Sequence, residues 1–313
     1  SDALVFATGT FSGTVVPAGS VVGVFSANGE DYFTGNFGAQ MRFAGYDAFV
    51  ISGRAERPVA LWVDDDGADI ERADKLWGLD GCEAIEKISK DANDPTIGVA
   101  VIGPAGEQKV KYASIYCDDQ LESSGLGGVM GSKLLKAVVV RGSKDVKVAS
   151  PDELTKAIQQ SKKEVPSKIR KDVASKKLQK NRSCVQCNIA CREVFRANGV
   201  MTAIFPEQAE AFGKFKPEEV IEAIALCKRL GIDPIYAGAL ADGAKPKKLA
   251  DFIKTLAEKK AEQLAGERPK KPEAGKLDKL FNSLMVCKRA PYGEAELANL
   301  YKLVTGEALP AER

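Results

Sequence analysis

Short β-branched runs alternate with tight turns through the first half of the chain. Val21–Phe25, Ala48–Ile51, Val59–Val63, Ile97–Ile102 and Ala137–Val140 are mostly apolar, with the length and composition of strands. Glycine- or Asp-rich stretches such as Asp64-Asp65-Asp66-Gly67 lie between them and predict turns. One helix interrupts the series, from about Asp80 to Lys90, where Ala84, Ile85 and Ile88 share a face. Most of the 29 glycines fall in this half. That suits a sheet structure whose backbone approaches a ligand or partner closely.

At Pro151 the period changes to a helical one. Ser150 precedes Pro151-Asp152-Glu153-Leu154, a helix start with a capping hydroxyl and acids in the first turn. Lys216-Pro217-Glu218-Glu219 opens a second helix that runs through Ile221, Ile224 and Leu226 to Gly231, a glycine stop. Pro246 to Ala265 predicts a third, with Leu249, Phe252, Ile253 and Leu256 on one stripe, and Glu294 to Val304 a fourth. Gly266–Pro272 has the composition of a solvated linker, and the basic stretch Lys162–Lys180 that of a solvated helix face. The expected fold class is α+β. A β-rich N-terminal base domain (1–147) is followed by an α-helical, cluster-binding region (148–313).

Composition narrows the function classes. The chain has 313 residues, 44% hydrophobic and 28% charged, a soluble globular composition long enough for two domains. Lys+Arg is 45 and Asp+Glu 43, too balanced to predict a nucleic-acid partner. No apolar run approaches the roughly 20 residues of a membrane span, and no signal peptide is visible. Seven cysteines, an odd number without disulfide-like spacing, fit a reducing cytoplasm. The chain enters the apolar run Ala3–Ala7 almost at once, as if upstream sequence were missing or supplied by another chain. It contains no histidine, so neither base nor ligand here is an imidazole.

Cys184-Val-Gln-Cys187-Asn-Ile-Ala-Cys191 concentrates three thiols between Arg182 and Arg192. Four soft ligands satisfy either zinc or an iron–sulfur cluster. The motif supplies three, and Cys287, bedded behind Leu284-Met285-Val286, is the candidate fourth. Cys82, Cys117 and Cys227 lie inside strand or helix patterns and are expected in the core. Spacing alone leaves both a cluster and a four-cysteine zinc site open.

Several blocks together resemble the aldehyde:ferredoxin oxidoreductase family, tungsten-pterin enzymes of anaerobes. They are Leu4–Thr14, Gly35–Gly38, Phe43–Asp47, Ile102–Glu107 and the glycine-rich Gly125-Leu-Gly127-Gly128-Val-Met-Gly131-Ser-Lys133. The cysteine motif, Pro206-Glu207, Leu230-Gly231-Ile232-Asp233, Cys287 and Leu303–Gly306 follow in the family's order. The resemblance implies a β-rich base cradling the cofactor, with helical domains closing over it. It implies two pterins (a molybdopterin-type cofactor) holding tungsten, oxidation of an aldehyde to an acid, and electrons leaving through a [4Fe-4S] cluster to ferredoxin or another redox subunit. It places the cluster on Cys184, Cys187, Cys191 and Cys287. It places cofactor contacts at Gly125, Gly127, Gly128, Gly131, Lys133 and Asp233, and a near-metal glutamate at Glu207. An oligomer or hetero-complex is expected.

The chain also departs from the family pattern. An arginine expected just ahead of the glycine block is Ser123, beside Glu122. A carboxylate there repels a phosphate instead of pairing with it. The leading aspartates of two pterin-binding motifs are Lys228 and Asn282, and Met285 replaces a glycine of the second. The family's catalytic histidine has no counterpart, and the chain is about half the family's usual length. Glu207 also has a plain explanation as a helix N-terminal acid beside Pro206. Three functions are therefore weighed: a cluster-bearing redox protein that has lost tungstopterin catalysis, a reduced but active aldehyde oxidoreductase, and a structural or assembly protein with zinc or no metal on its cysteines.

Overall fold

A computed structural model describes residues 3–122, 124–160, 171–176, 181–185, 187, 192–258, 282–287, 289–290 and 292–310. The first half forms two sheets. One contains β1 (Leu4–Thr8), β2 (Val21–Ser26), β3 (Gly29–Thr34) and β4 (Ala48–Ile51), antiparallel in the order β3-β2-β1-β4. The other contains β5 (Val59–Val63), β6 (Ala68–Arg72), β7 (Gly98–Ile102), β8 (Ile115–Cys117), β9 (Gln120–Leu121) and β10 (Leu135–Val140). Its order is β6-β5-β10-β7-β8-β9, with β10 parallel to β5 and antiparallel to β7.

Side-chain alternation along this mixed sheet explains how it organises the molecule. Ala100 and Ile102 of β7 and Val138 and Val140 of β10 face a core shared with Phe6, Val22, Val24 and Phe33 of the antiparallel sheet. Helix α1 (Asn36–Ala44) contributes Phe37 and Met41 to the same core. The alternate residues, Val99, Val101, Ala137 and Val139, belong to a second core. That core joins them to α2 (Gly81–Asp91) and to three later helices, α8 (Pro217–Leu230), α9 (Pro234–Ala244) and α10 (Leu249–Leu256). Burying both faces explains why these strands are continuously apolar, each buried Val or Ile side chain adding roughly 1.5–3 kcal/mol.

The short helices α3 (Pro104–Glu107) and α4 (Leu126–Ser132) lie within the base half. The second half adds α5 (Pro151–Gln160), α6 (Lys171–Ala174), the antiparallel hairpin β11 (Glu193–Ala197) and β12 (Val200–Ile204), α7 (Pro206–Ala211) and α11 (Glu294–Thr305). A third core collects Phe11 and Val16 with Leu154 of α5, Leu284, Val286, and Leu297, Leu300 and Val304 of α11; Cys187 and Cys287 pack against it.

The α+β class is observed. The helix expected from Asp80 begins one residue later, because Asp80 is its cap: the carboxylate accepts from Cys82 and Glu83 amides while Glu83 returns to the Asp80 amide. Gly231 ends α8 in the left-handed conformation, φ 72°. The third expected helix is described only as Leu249–Leu256, and its predicted end at Ala265 lies outside the described residues. Two differences stand out. The region expected to be helical contains the β11–β12 hairpin, turned by Asn198 and Gly199 at positive φ. Cys82, expected in the core, is exposed in the first turn of α2, whereas Cys117 and Cys227 are fully buried.

Candidate functional site

Cys184 and Cys287 lie near the end of the base where β3 finishes and the β8–β9 hairpin turns: the Cys184 thiol approaches Thr34, and Cys287 shares a cavity wall with Thr34 and Gln120. That turn is Asp118-Asp119, with both residues at positive φ (50° and 62°), the pairing a two-residue hairpin needs. The turn caps α1 from outside its own helix: Asp118 Oδ2 accepts from the Phe37 amide at 2.9 Å. Gly35 makes this approach possible, since a Cβ there would collide with the Asp118 side chain. Burial pushes the Asp118 carboxyl up, against the Phe37 and Asn36 amides and Arg192.

The cysteine segment attaches to this corner through arginines. Arg182 and Arg192 pair as an isolated antiparallel bridge, with N···O distances of 2.9 and 3.3 Å. The bridge closes the base of the loop that carries Cys184 and Cys187. The Arg192 side chain is 8% exposed. It donates to the Asp118 carbonyl at 2.6 Å and also to the Thr34 carbonyl. The Cys184 thiol lies 3.7 Å from that same Thr34 oxygen. Burial alone would lower the Arg192 pKa, but Cys184, Asp118, Asp119 and Cys287 around it raise it above the ordinary value. One guanidinium thus senses thiols from two distant parts of the sequence. Cys287 is tied to the base by its amide, which donates to the Ala18 carbonyl at 2.9 Å. Cys191 and Ser123 lie outside the described residues. Among the described residues, no three His, Cys, Asp or Glu side chains are grouped as a metal site.

Beside Cys287 opens a cavity of about 450 Å³. Thr34, Gln120, Ser124 and Asn282 line it together with Glu30, Glu122, Glu207 and Arg289. Glu207 sits in the first turn of α7 and pairs with Arg289 at 2.6 Å. The Arg289 guanidinium also lies 4.2 Å from the Phe205 ring centroid. The lining therefore carries three carboxylates and one arginine, itself already paired. Tyr32 lines the same wall, and its phenol is pushed up to about 12 by burial and by Glu30.

Lys228 stands where the resemblance expects a pterin-binding aspartate. It is 3% exposed, and its ammonium donates to Asp119 and to the Ala203 carbonyl, both at 2.8 Å. Burial lowers its pKa and Asp119 opposes the shift. Asp119 also accepts from the Tyr116 hydroxyl at 3.1 Å and has Arg182 4.0 Å away. Asp118 and Asp119 were not singled out in the sequence, where adjacent acids resemble an exposed loop.

The glycine block splits into two roles. Gly125 starts α4 at φ 77°. With Gly128, Lys109 and Lys111 it borders a separate cleft of about 830 Å³. Ser124 lines both spaces, so the front of the block reaches the cysteine side. Gly127 and Gly131 serve close packing instead: a Cβ on Gly127 would lie 2.6 Å from the Ser114 carbonyl, and one on Gly131 would strike that of Gly106. Lys133 donates to the Gly53 carbonyl at 3.0 Å. Asp233 caps α9 by accepting from the Ile235 amide at 2.8 Å. Neither residue lines the cavity beside Cys287.

Comparison with known proteins decides the ancestry. The family model "Aldehyde ferredoxin oxidoreductase, N-terminal domain" matches residues 1–142, and "Aldehyde ferredoxin oxidoreductase, domains 2 & 3" matches residues 137–245. The chain belongs to the aldehyde ferredoxin oxidoreductase family. The tungsten-containing aldehyde ferredoxin oxidoreductase of Pyrococcus horikoshii is 34% identical over 221 residues, which are 67% of this chain but 36% of that protein. The match spans little more than a third of that relative's length. An aliphatic sulfonate oxidoreductase, WOR-like subunit, of Pyrococcus furiosus is 35% identical over 121 residues, 34% of this chain and 19% of that one. Among solved structures, the active site complex BamBC of benzoyl coenzyme A reductase shares the fold. Its TM-score is 0.65 at 23% identity, covering 80% of this chain and 50% of that chain. Among the described residues, no helix of this family member is long and apolar enough to cross a membrane.

Proposed function

We propose that this family member is a redox protein holding one [4Fe-4S] cluster on Cys184, Cys187, Cys191 and Cys287. It transfers electrons, or supports a larger redox complex, and has lost tungstopterin catalysis. The observation carrying this reading is that the Cys184 thiol and the Arg192 guanidinium share the Thr34 carbonyl, beside the cavity that Cys287 lines with Thr34. The donor set fits a cluster: thiols, a buried cation and an apolar bed under Cys187 and Cys287. When bound, the cluster supplies one-electron chemistry, and the chain supplies ligands, charge and shielding from water. The electron partner is ferredoxin or a second redox subunit in the cytoplasm, in keeping with the relative that is itself a subunit. The base domain ends near residue 147.

The residues that would hold tungstopterin fit it poorly. A buried Lys228–Asp119 pair stands where the resemblance puts an aspartate. The cavity beside Cys287 carries Glu30, Glu122 and Glu207 against Arg289 alone. A phosphate entering it loses a charge-assisted contact, about 1.5–3 kcal/mol, and meets like charge. Metal content of anaerobically purified protein tests the reading. Iron near four per chain without tungsten upholds it. Tungsten with two pterins replaces it with a reduced aldehyde oxidoreductase using Glu207, and zinc with a structural or assembly role. Cys287→Ser should strip or strongly perturb the cluster, and an unchanged cluster spectrum refutes this ligand set.

A further inference from the structure

Arg192 makes two hydrogen bonds to the base, neither of them to a formal counter-charge. Both acceptors are neutral carbonyls, of Thr34 and Asp118. Among the described residues it forms no ion pair; Arg182 and Lys228 are the cations that approach Asp119 within 4.0 Å. The Asp118 carboxylate is turned to the Phe37 amide. A guanidinium with little solvent and no bonded carboxylate stabilises whatever negative charge lies next to it. Around it lie Asp118, Asp119 and the cysteine site.

From this geometry we infer that Arg192 is a positioning residue that locks the cysteine loop onto the base through Thr34 and Asp118, and that its charge beside Cys184 raises the reduction potential of the group the thiols hold. The inference rests on reading these cysteines as cluster ligands. It adds a role for a side chain that is not a ligand. Two observations support it independently. The Arg182–Arg192 bridge and the Arg192 side chain join the two ends of the loop to one point on the base. The Cys184 thiol and the Arg192 guanidinium also meet at a single oxygen, that of Thr34. Reduction adds one electron to the cluster from an external one-electron donor and releases no group, so the charge of the site becomes more negative by one. A fixed neighbouring cation favours that state.

The test uses the full chain, purified anaerobically, as wild type, Arg192→Met and Arg192→Lys. Circular dichroism checks that each is folded. Dithionite titration followed by electron paramagnetic resonance reads the potential. In Arg192→Met, the ratio of reduced to oxidised cluster at a fixed potential should fall about tenfold, a midpoint lower by about 59 mV for one electron. Arg192→Lys keeps the charge and should stay close to wild type in potential. An Arg192→Met midpoint equal to wild type overturns the potential-setting role. The locking role is read separately on metal-free protein, by hydrogen exchange at the amides of residues 182 and 192. Arg192→Met should speed their exchange at least tenfold, and unchanged exchange overturns it. Wild-type protein without iron defeats the cluster reading and the potential-setting role together, while the exchange measurement still decides the locking role.

Discussion

Two buried cations in this molecule are handled in opposite ways. Lys136, on central strand β10, is fully buried and pairs with Glu107 at 2.5 Å, its ammonium also reaching the Leu79 carbonyl at 2.8 Å. Burial lowers its pKa and Glu107 opposes the shift. Glu107 is held in turn by the Gly78 amide at 2.9 Å. Every charge there is answered inside the base, and the pair ties α3 to the sheet. Arg192 is nearly as buried but is hydrogen-bonded to neutral carbonyls, and its field falls on Asp118, Asp119 and the thiols together. A neutralised pair belongs to architecture. A cation hydrogen-bonded only to carbonyls leaves its field to the groups around it, thiols among them.

The sharpest way to break the contrast is to remove each cation. Lys136→Met strands Glu107 in the core and should cost about 3–5 kcal/mol in denaturant unfolding. The double change with Glu107→Gln should recover most of the loss. Arg192→Met leaves only neutral carbonyls behind, so a smaller loss of about 1–3 kcal/mol is expected. Equal losses at the two sites would erase the distinction. Gly131→Ala tests the backbone contact beneath α4. Its new methyl meets the Gly106 carbonyl, and overpacking of this kind costs about 1–3 kcal/mol. Removing the α2 cap with Asp80→Ala should cost about 0.5–2 kcal/mol.

The smallest effect concerns pH. The folded protein keeps the Tyr32 proton up to about 12, against an ordinary value of 10.0. Between those values the unfolded chain binds fewer protons than the folded one, so stability is full below the lower value and declines towards the upper. Phenolate absorbance should show one tyrosine titrating late in wild type and missing from Tyr32→Phe. A Tyr32→Phe difference curve centred at the ordinary value would remove this feature from the cavity wall.

Sequence pattern captured what alternation and spacing encode. Strands β2, β4, β5, β7 and β10 were legible because apolar side chains fill one or both faces, and the cysteines because three fall so close together. Strand β6 was not, since all five of its residues are exposed and edge pairing alone holds it. Helix α4 has three glycines in seven residues, which argues against a helix until the close contact with the Gly106 carbonyl is seen. Helix α9 is nearly uniform in polarity and gave no period. The hairpin β11–β12 did carry a signal, Asn198-Gly199, the strongest short hairpin cue, but helical patterns on both sides masked it. Asp118, Asp119 and the contacts of Arg192 with the base were illegible for another reason. Their importance comes from a hairpin end, a strand end and a distant loop meeting in space, and no local window contains all three.

The central position of β10 has a consequence for how the chain is made. Its neighbours in the sheet, β5 and β7, are translated long before it, yet they never pair with each other. Without β10, the β5–β6 ribbon and the β7–β8–β9 meander have no strand pairing between them. Non-local closure of this kind is slow and leaves unpaired edges exposed. The six residues of β10 are therefore what joins two separate ribbons into one sheet.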